Sequence, residues 1–226
     1  MTNVEVRDRS HRHDEDHHGH GHDHGHNHSH DPIEVTEGAG EYEIMVHAIK
    51  ELLLEKGVIT SADIRKTLEF MDTRTPALGA KVVARAWNDP EFKRRLLANG
   101  TAAVAEMGIP MGDAELIVVE NTKEVHNVIV CTLCSCYPRT VLGLPPDWYK
   151  SRNYRSRVVA EPRAVLKEFG TDVPQSVMLR THDSNADMRY LVLPQWPAGT
   201  EGWSEEQLAA IVTRDCMIGV AVPQAD

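Results

Sequence analysis

The chain has 226 residues, with 24 Lys and Arg against 34 Asp and Glu, and a formal net charge of −10. Hydrophobic residues make up 41% and aromatic residues 5%, a composition suited to one domain or one domain with an arm. No apolar stretch is long enough to span a membrane, the acidic balance argues against a nucleic-acid partner, and four cysteines in a chain of this length do not make a disulfide framework.

Residues 1–40 differ from the rest. Ten of the 13 histidines fall between His11 and His30, and from His18 onward they occupy every second position. The segment has too few apolar residues to offset the entropy of ordering, so it reads as a disordered arm. Dense imidazole is a ligand set for Co, Ni, Zn and Cu. Metal capture and a solvated tail that meets metal incidentally are both open readings.

Helices follow. Tyr42 to Lys56 carries Met45, Ile49, Leu52 and Leu53 on one face and stops at Gly57. Thr60 or Ser61 caps a second helix to about Met71. A third runs from Pro76 to Trp87, with Val82, Val83 and Ala86 inward. Asp89-Pro90 opens a fourth, ending near Asn99-Gly100, and a short one covers Thr101 to Met107. The texture then changes to Val- and Ile-rich strands at Glu115–Glu120 and Val125–Val130, with two more at Val177–Thr181 and Arg189–Leu193. Helical stretches return at Pro146–Ser151, Pro162–Phe169 and Ser204–Arg214. Helices first and strands later imply an α+β fold: an N-terminal helical extension, then a globular domain with a β-sheet and flanking helices. The expected division is a His-rich arm at 1–40, a partner-contacting helical region at 41–110 and a metal-binding α+β region at 111–226.

Three of the four cysteines stand within six residues, in Val130-Cys131-Thr132-Leu133-Cys134-Ser135-Cys136-Tyr137-Pro138, directly after an apolar strand. A Cys-x-x-Cys pair alone suits redox chemistry or half a zinc site. Here no second pair completes a zinc site, since Cys216 stands alone. Cys134 and Cys136 are two apart, so they reach one ion only if the intervening backbone approaches it as well. The amides of Ser135 and Cys136 then become candidate ligands. Thiolates plus deprotonated amides suit a small trivalent ion, Co(III) or Fe(III), rather than Zn²⁺. Five such donors leave a sixth position for water or substrate. A thiol redox switch and inert buried cysteines are the other readings.

This run, with Val141-Leu142-Gly143-Leu144-Pro145-Pro146 and Trp148-Tyr149-Lys150 after it, resembles the α subunit of nitrile hydratase. Thr132 is the mark of the family's cobalt type; the iron type carries serine there. The resemblance extends through Gly79–Ala84, Tyr154-Arg155-Ser156-Arg157, Pro197–Thr200 and Arg214-Asp215 with Met217–Gly219. It implies that sulfur from Cys131, Cys134 and Cys136, with backbone nitrogen from Ser135 and Cys136, holds one Co(III) per chain, with cobalt favoured over iron. It further implies that Cys134 is oxidised to sulfinate and Cys136 to sulfenate, and that these two are the catalytic residues of a hydro-lyase turning a small nitrile into an amide. The implied partners are a β subunit, as αβ or α2β2, and a cobalt-insertion activator protein. With no export signal at its start, the chain is expected in the cytoplasm.

Asp183 matches an acidic position of the cobalt type, and Arg180 is a candidate to pair with it; a surface ion pair is the plainer reading of both. The chain departs from the family pattern at two places. Arg139 stands where tryptophan is usual, and His182 stands where an aromatic is expected before Asp183. Both suggest a less apolar, more positive wall. Arg139 also resembles the γ subunit of thiocyanate hydrolase, whose substrate is an anion, so that enzyme is the second reading. A metal-delivery module built on the His-rich arm is the third.

Overall fold

A computed structural model describes residues 40–225 of the chain. Apart from Gly40, the expected His-rich arm lies outside the described residues.

The first two helices are α1 (Glu41–Glu55) and α2 (Ser61–Asp72). Thr60 starts α2 with a reciprocal cap: its Oγ1 accepts from Asp63 N at 3.1 Å, and Asp63 Oδ2 accepts from Thr60 N at 2.9 Å. Neither helix buries a residue, and Ile44, Val46, Ile49, Leu68 and Phe70 are all exposed.

The next three helices belong to the core. In α3 (Pro76–Asn88), Val82, Val83, Ala84 and Ala86 are fully buried. Asp89 then caps α4 (Pro90–Ala98) by accepting from Phe92 N at 2.9 Å. Asn99 does the same for α5 (Gly100–Ala105) through Ala102 N.

The β-sheet expected from the sequence takes the form of two parallel pairs. β1 (Glu115–Glu120) pairs with β4 (Met188–Leu193), and β2 (Val125–Val130) pairs with β3 (Met178–Asp183). Five consecutive buried residues in β2, His126 to Val130, match a strand covered on both faces. A parallel pair needs a long crossover. The one between β2 and β3 contains the cysteine run and four short helices: α6 (Arg139–Leu142), α7 (Asp147–Lys150), α8 (Arg152–Ala160) and α9 (Pro162–Glu168). The β2–β3 register ends with Val130 opposite Asp183, so the cysteine loop leaves the carboxyl end of one strand beside the carboxyl end of its neighbour.

The chain closes with α10 (Glu205–Ile211) and α11 (Arg214–Ile218). Gly79 of α3 lets these layers touch. A Cβ there would lie 2.7 Å from Met217 Sδ of α11 and 2.9 Å from Val141 O of α6. Cys216 is buried and packs in this core, as its apolar neighbours suggest. Among the described residues, no helix is long and apolar enough to cross a membrane.

Candidate metal centre

Cys131 continues directly from β2 and is fully buried, whereas Cys134 is exposed and Cys136 half-buried. The chain turns back on itself between them. Cys134 Sγ lies 3.5 Å from Cys131 Sγ and 3.3 Å from Cys136 Sγ, and the three sulfurs all fall within 4.8 Å of one another. Cys134 N donates to Cys131 Sγ at 3.3 Å. The backbone N–H groups of Ser135 and Cys136 also act on the Cys134 sulfur. The sulfurs and the two amides named from the sequence are thus gathered at one point.

Proximity splits the thiol acidities. Hydrogen bonds from Cys136 and then Cys131 bring the Cys134 thiol down to about 7. Burial, and donation to Cys134, push Cys136 up to about 12. One sulfur is therefore poised as a thiolate near neutral pH, the form that ligates metal.

The loop is held from three sides. Asp183, at the end of β3, accepts from Thr132 N at 2.9 Å through Oδ1 and from Thr132 Oγ1 at 2.5 Å through Oδ2. Arg155, on the first turn of α8, donates through Nη1 to Cys134 O at 3.0 Å and Thr132 O at 3.4 Å. Tyr149 is fully buried and donates to Cys136 O at 2.9 Å. Burial pushes its phenol far above the usual range, so it remains a donor. Behind the loop stands an aromatic cluster. Tyr137 meets Tyr149 edge-on at 5.0 Å, and Trp148 lies 4.7 Å from Phe169 and 4.8 Å from Tyr154. Tyr137 and Trp148 pack within this cluster.

A cavity of about 400 Å³ opens in front of the sulfurs. Its wall includes Cys134, Ser135, Cys136, Arg139, Met111 and Arg189. Arg139 is brought to the site.

Arg180 and His182 are not where the sequence suggested. The pairing of Arg180 with Asp183 is corrected: the Asp183 carboxylate is taken by Thr132, and residues three apart on a strand point to opposite faces. Arg180 is exposed and acts electrostatically on His182 instead. The positive character expected of His182 is corrected too. His182 Nε2 bonds Asn127 Oδ1 at 2.8 Å and its ring stacks on Tyr190 at 5.1 Å. Burial, and then Arg180, lower its pKa, so the ring is neutral at pH 7.

Sequence reasoning missed Arg155, Tyr149 and Arg189 as site residues. Tyr149 and Arg155 stand in stretches that carry the family resemblance, and that was the available signal. Arg189 reaches the cavity only through the pairing of β4 with β1, which no local pattern reveals.

The donor set fits a small, highly charged transition ion. Soft sulfurs converge with peptide nitrogens, one face is closed by packed aromatics, and the other opens to the cavity.

Comparison with known proteins agrees with this geometry. The family model for nitrile hydratase, alpha chain, matches residues 40–221. The cobalt-containing nitrile hydratase subunit alpha of Pseudonocardia thermophila is 54% identical over 188 residues, covering 82% of this chain and 92% of that protein. Thiocyanate hydrolase subunit gamma of Thiobacillus thioparus is 44% identical over 205 residues, covering 85% of this chain and 84% of that protein. Among solved structures, a double mutant of Fe-type nitrile hydratase from Comamonas testosteroni Ni1 superposes with a TM-score of 0.77 at 46% identity, covering 81% of this chain and 91% of that chain. The family model's match across residues 40–221, the identity to the cobalt-containing subunit and the common fold place this chain in the nitrile hydratase alpha chain family.

Proposed function

We propose that the chain is the α subunit of a cobalt-dependent nitrile hydratase. The observation that carries the reading is the convergence of Cys131, Cys134 and Cys136 within 4.8 Å, with Cys134 and Cys136 lining a cavity. Their sulfurs, with the backbone nitrogens of Ser135 and Cys136, would hold one Co(III). Threonine at position 132 and the cobalt-containing relative favour cobalt over iron. Bound there, the ion supplies Lewis acidity toward a nitrile or water.

The chain's own groups do the rest. The aromatic cluster and the buried Cys131 keep water from the rear of the loop. Cys134 and Cys136, the more accessible sulfurs, are the positions for sulfinate and sulfenate. Cys136 lines the cavity, and its sulfenate oxygen would attack the nitrile carbon; water would then take its place on that carbon, releasing the amide and restoring the sulfenate. Water supplies the oxygen and the protons of the amide.

The site is open on one side, and exposed apolar side chains on the loop and on the first two helices fit a second subunit. Leu133, at the tip of the loop, is 88% exposed, and α1 and α2 bury nothing. We assign Leu133 and the exposed apolar side chains of α1 and α2, the unburied part of the 41–110 region, to a β subunit in an αβ or α2β2 complex. Cobalt delivery is assigned to an activator protein. The His-rich arm would collect divalent metal for the same chain. All four cysteines are free of disulfides, in keeping with a cytoplasmic setting.

A second reading is favoured by one observation: Arg139 and Arg189 share the cavity wall with the sulfurs. Two cations suit an anionic substrate, as in hydrolysis of thiocyanate to carbonyl sulfide and ammonia. The test supplies a small nitrile and thiocyanate in parallel to the complex co-purified with its β subunit. Amide from the nitrile, with thiocyanate untouched, supports the first reading. Turnover of thiocyanate with little amide replaces it with the second.

A further inference from the structure

The loop that gathers the sulfurs has one cation bound to its backbone, and neither composition nor spacing in the sequence marks it out. Arg155 stands on the first turn of α8, and that helix is pinned to the sheet beneath the loop. Ser151 caps it by accepting from Tyr154 N at 3.1 Å, Tyr154 OH donates to Ile129 O of β2 at 2.7 Å, and Thr181 Oγ1 of β3 donates to Val158 O at 3.2 Å. A guanidinium on this platform has a fixed origin relative to both strands. From there its Nη1 reaches two carbonyls of the loop, Cys134 O at 3.0 Å and Thr132 O at 3.4 Å.

The Cys134 carbonyl matters most. It belongs to the peptide that ends in Ser135 N. A trans peptide holds its C=O and N–H antiparallel, and no peptide among the described residues is cis. Drawing the Cys134 oxygen outward to Arg155 therefore turns Ser135 N–H inward, onto the sulfur side, where it acts on the Cys134 thiolate. The same residue is fixed from its other end, since Cys134 N donates to Cys131 Sγ at 3.3 Å. Without the guanidinium, this peptide can rotate until its oxygen faces the sulfurs, which removes a donor nitrogen from the site and sets an oxygen dipole against electron-rich sulfur.

We propose that Arg155 is a positioning residue of the metal centre: it holds the Cys134–Ser135 peptide with its nitrogen toward the sulfurs, so that the loop accepts the ion. The proposal rests on the cobalt reading above. Its test uses the αβ complex expressed with cobalt, comparing wild type, Arg155→Ala and Arg155→Lys. Three quantities are read: cobalt per chain by mass spectrometry, the sulfur-to-cobalt absorption in the near ultraviolet, and the melting temperature. Loss of an outer partner of a metal ligand weakens retention about 10- to 100-fold. The expectation is a loss of that size in R155A after challenge with a chelator, an altered absorption band, an unchanged melting temperature, and substantial recovery in R155K, which restores a cationic donor. Wild-type cobalt content and an unaltered band in R155A would overturn the proposal. So would equal losses in both variants accompanied by lowered melting temperatures, which would assign the residue to fold stability alone. If the wild-type complex itself takes up no cobalt, the cobalt reading fails, and the proposal with it.

Discussion

Asp183 closes on Thr132 with both carboxylate oxygens, one on the backbone N–H at 2.9 Å and one on the hydroxyl at 2.5 Å. Thr132 is therefore a fastening point of the cysteine loop. Thr132→Ser keeps the hydroxyl and should keep the metal. Thr132→Val keeps the volume, loses the hydroxyl and leaves one oxygen of Asp183 without this partner. Asp183→Asn removes the charge from both bonds. Cobalt retention should fall about tenfold in T132V and D183N and stay within about twofold of wild type in T132S. Elemental analysis of the purified complexes checks the order.

Arg139 separates the two substrate readings. Arg139→Leu removes a cation from the cavity wall while keeping apolar bulk. If the substrate is a neutral nitrile, kcat/KM should change less than about threefold. If it is thiocyanate, loss of a favourable charge partner of about 1.4 kcal/mol or more corresponds to a drop of about tenfold or more. Steady-state assays on both substrates at fixed ionic strength decide between them.

The four cysteines should sort into two classes. Replacing Cys131, Cys134 or Cys136 by serine should abolish cobalt binding. Cys216 is buried in the core, its sulfur 3.1 Å from Thr213 Oγ1. Cys216→Ala should retain full cobalt and cost about 1 kcal/mol of stability. Urea melts alongside metal analysis test both halves of the statement.

Stability should fall on mild acidification. His126 is buried, its Nε2 bonded to Gly219 O at 2.8 Å and its Nδ1 facing Asn121 Nδ2 at 3.5 Å. Burial lowers its pKa, and the same holds for His182. A depressed folded-state pKa means that the unfolded chain takes up the proton first. The stabilising contribution is thus complete above the unfolded value of about 6.5 and is lost as pH falls below it. The melting temperature should decline between pH 7.5 and 5, and His126→Gln should flatten that decline. A steeper slope in the variant would contradict this account.

Gly219 marks a tight approach. It ends α11 at φ +92°, and a Cβ there would lie 2.1 Å from Asn127 O of β2. Gly219→Ala combines a disfavoured backbone with a collision on the strand that feeds the cysteine loop. A loss of about 2–5 kcal/mol is expected, and calorimetry or reduced soluble yield would show it.

Much of this molecule could be read from its residues. The limits of α3 and α4 follow from Pro76, Asp89-Pro90 and Asn99, because proline openings and polar caps are local chemistry. The spacing of the cysteine run set three thiols on one tight turn, and their sulfurs lie within 4.8 Å of one another. What escaped was either non-local or unpatterned. Helix α8 has only Tyr154 and Val158 buried among polar residues, so it shows no apolar stripe, and Arg155 went unnoticed with it. The true partner of Asp183 lay hidden because register between distant strands is set by the whole fold. Arg180 looked near in sequence, yet strand geometry turns it away.

The fastening of Thr132 by Asp183 spans 51 residues of chain. During synthesis, a cysteine loop that has just left the ribosome has its thiols but not its clamp, because β3 has yet to be made. Contacts of such long sequence separation form late. Early in biosynthesis the loop is a loose trithiol, open to whichever soft ion arrives. Only after β3 docks is the loop fastened by Asp183. The connectivity therefore delays this clamp until β3 has been made and has paired with β2.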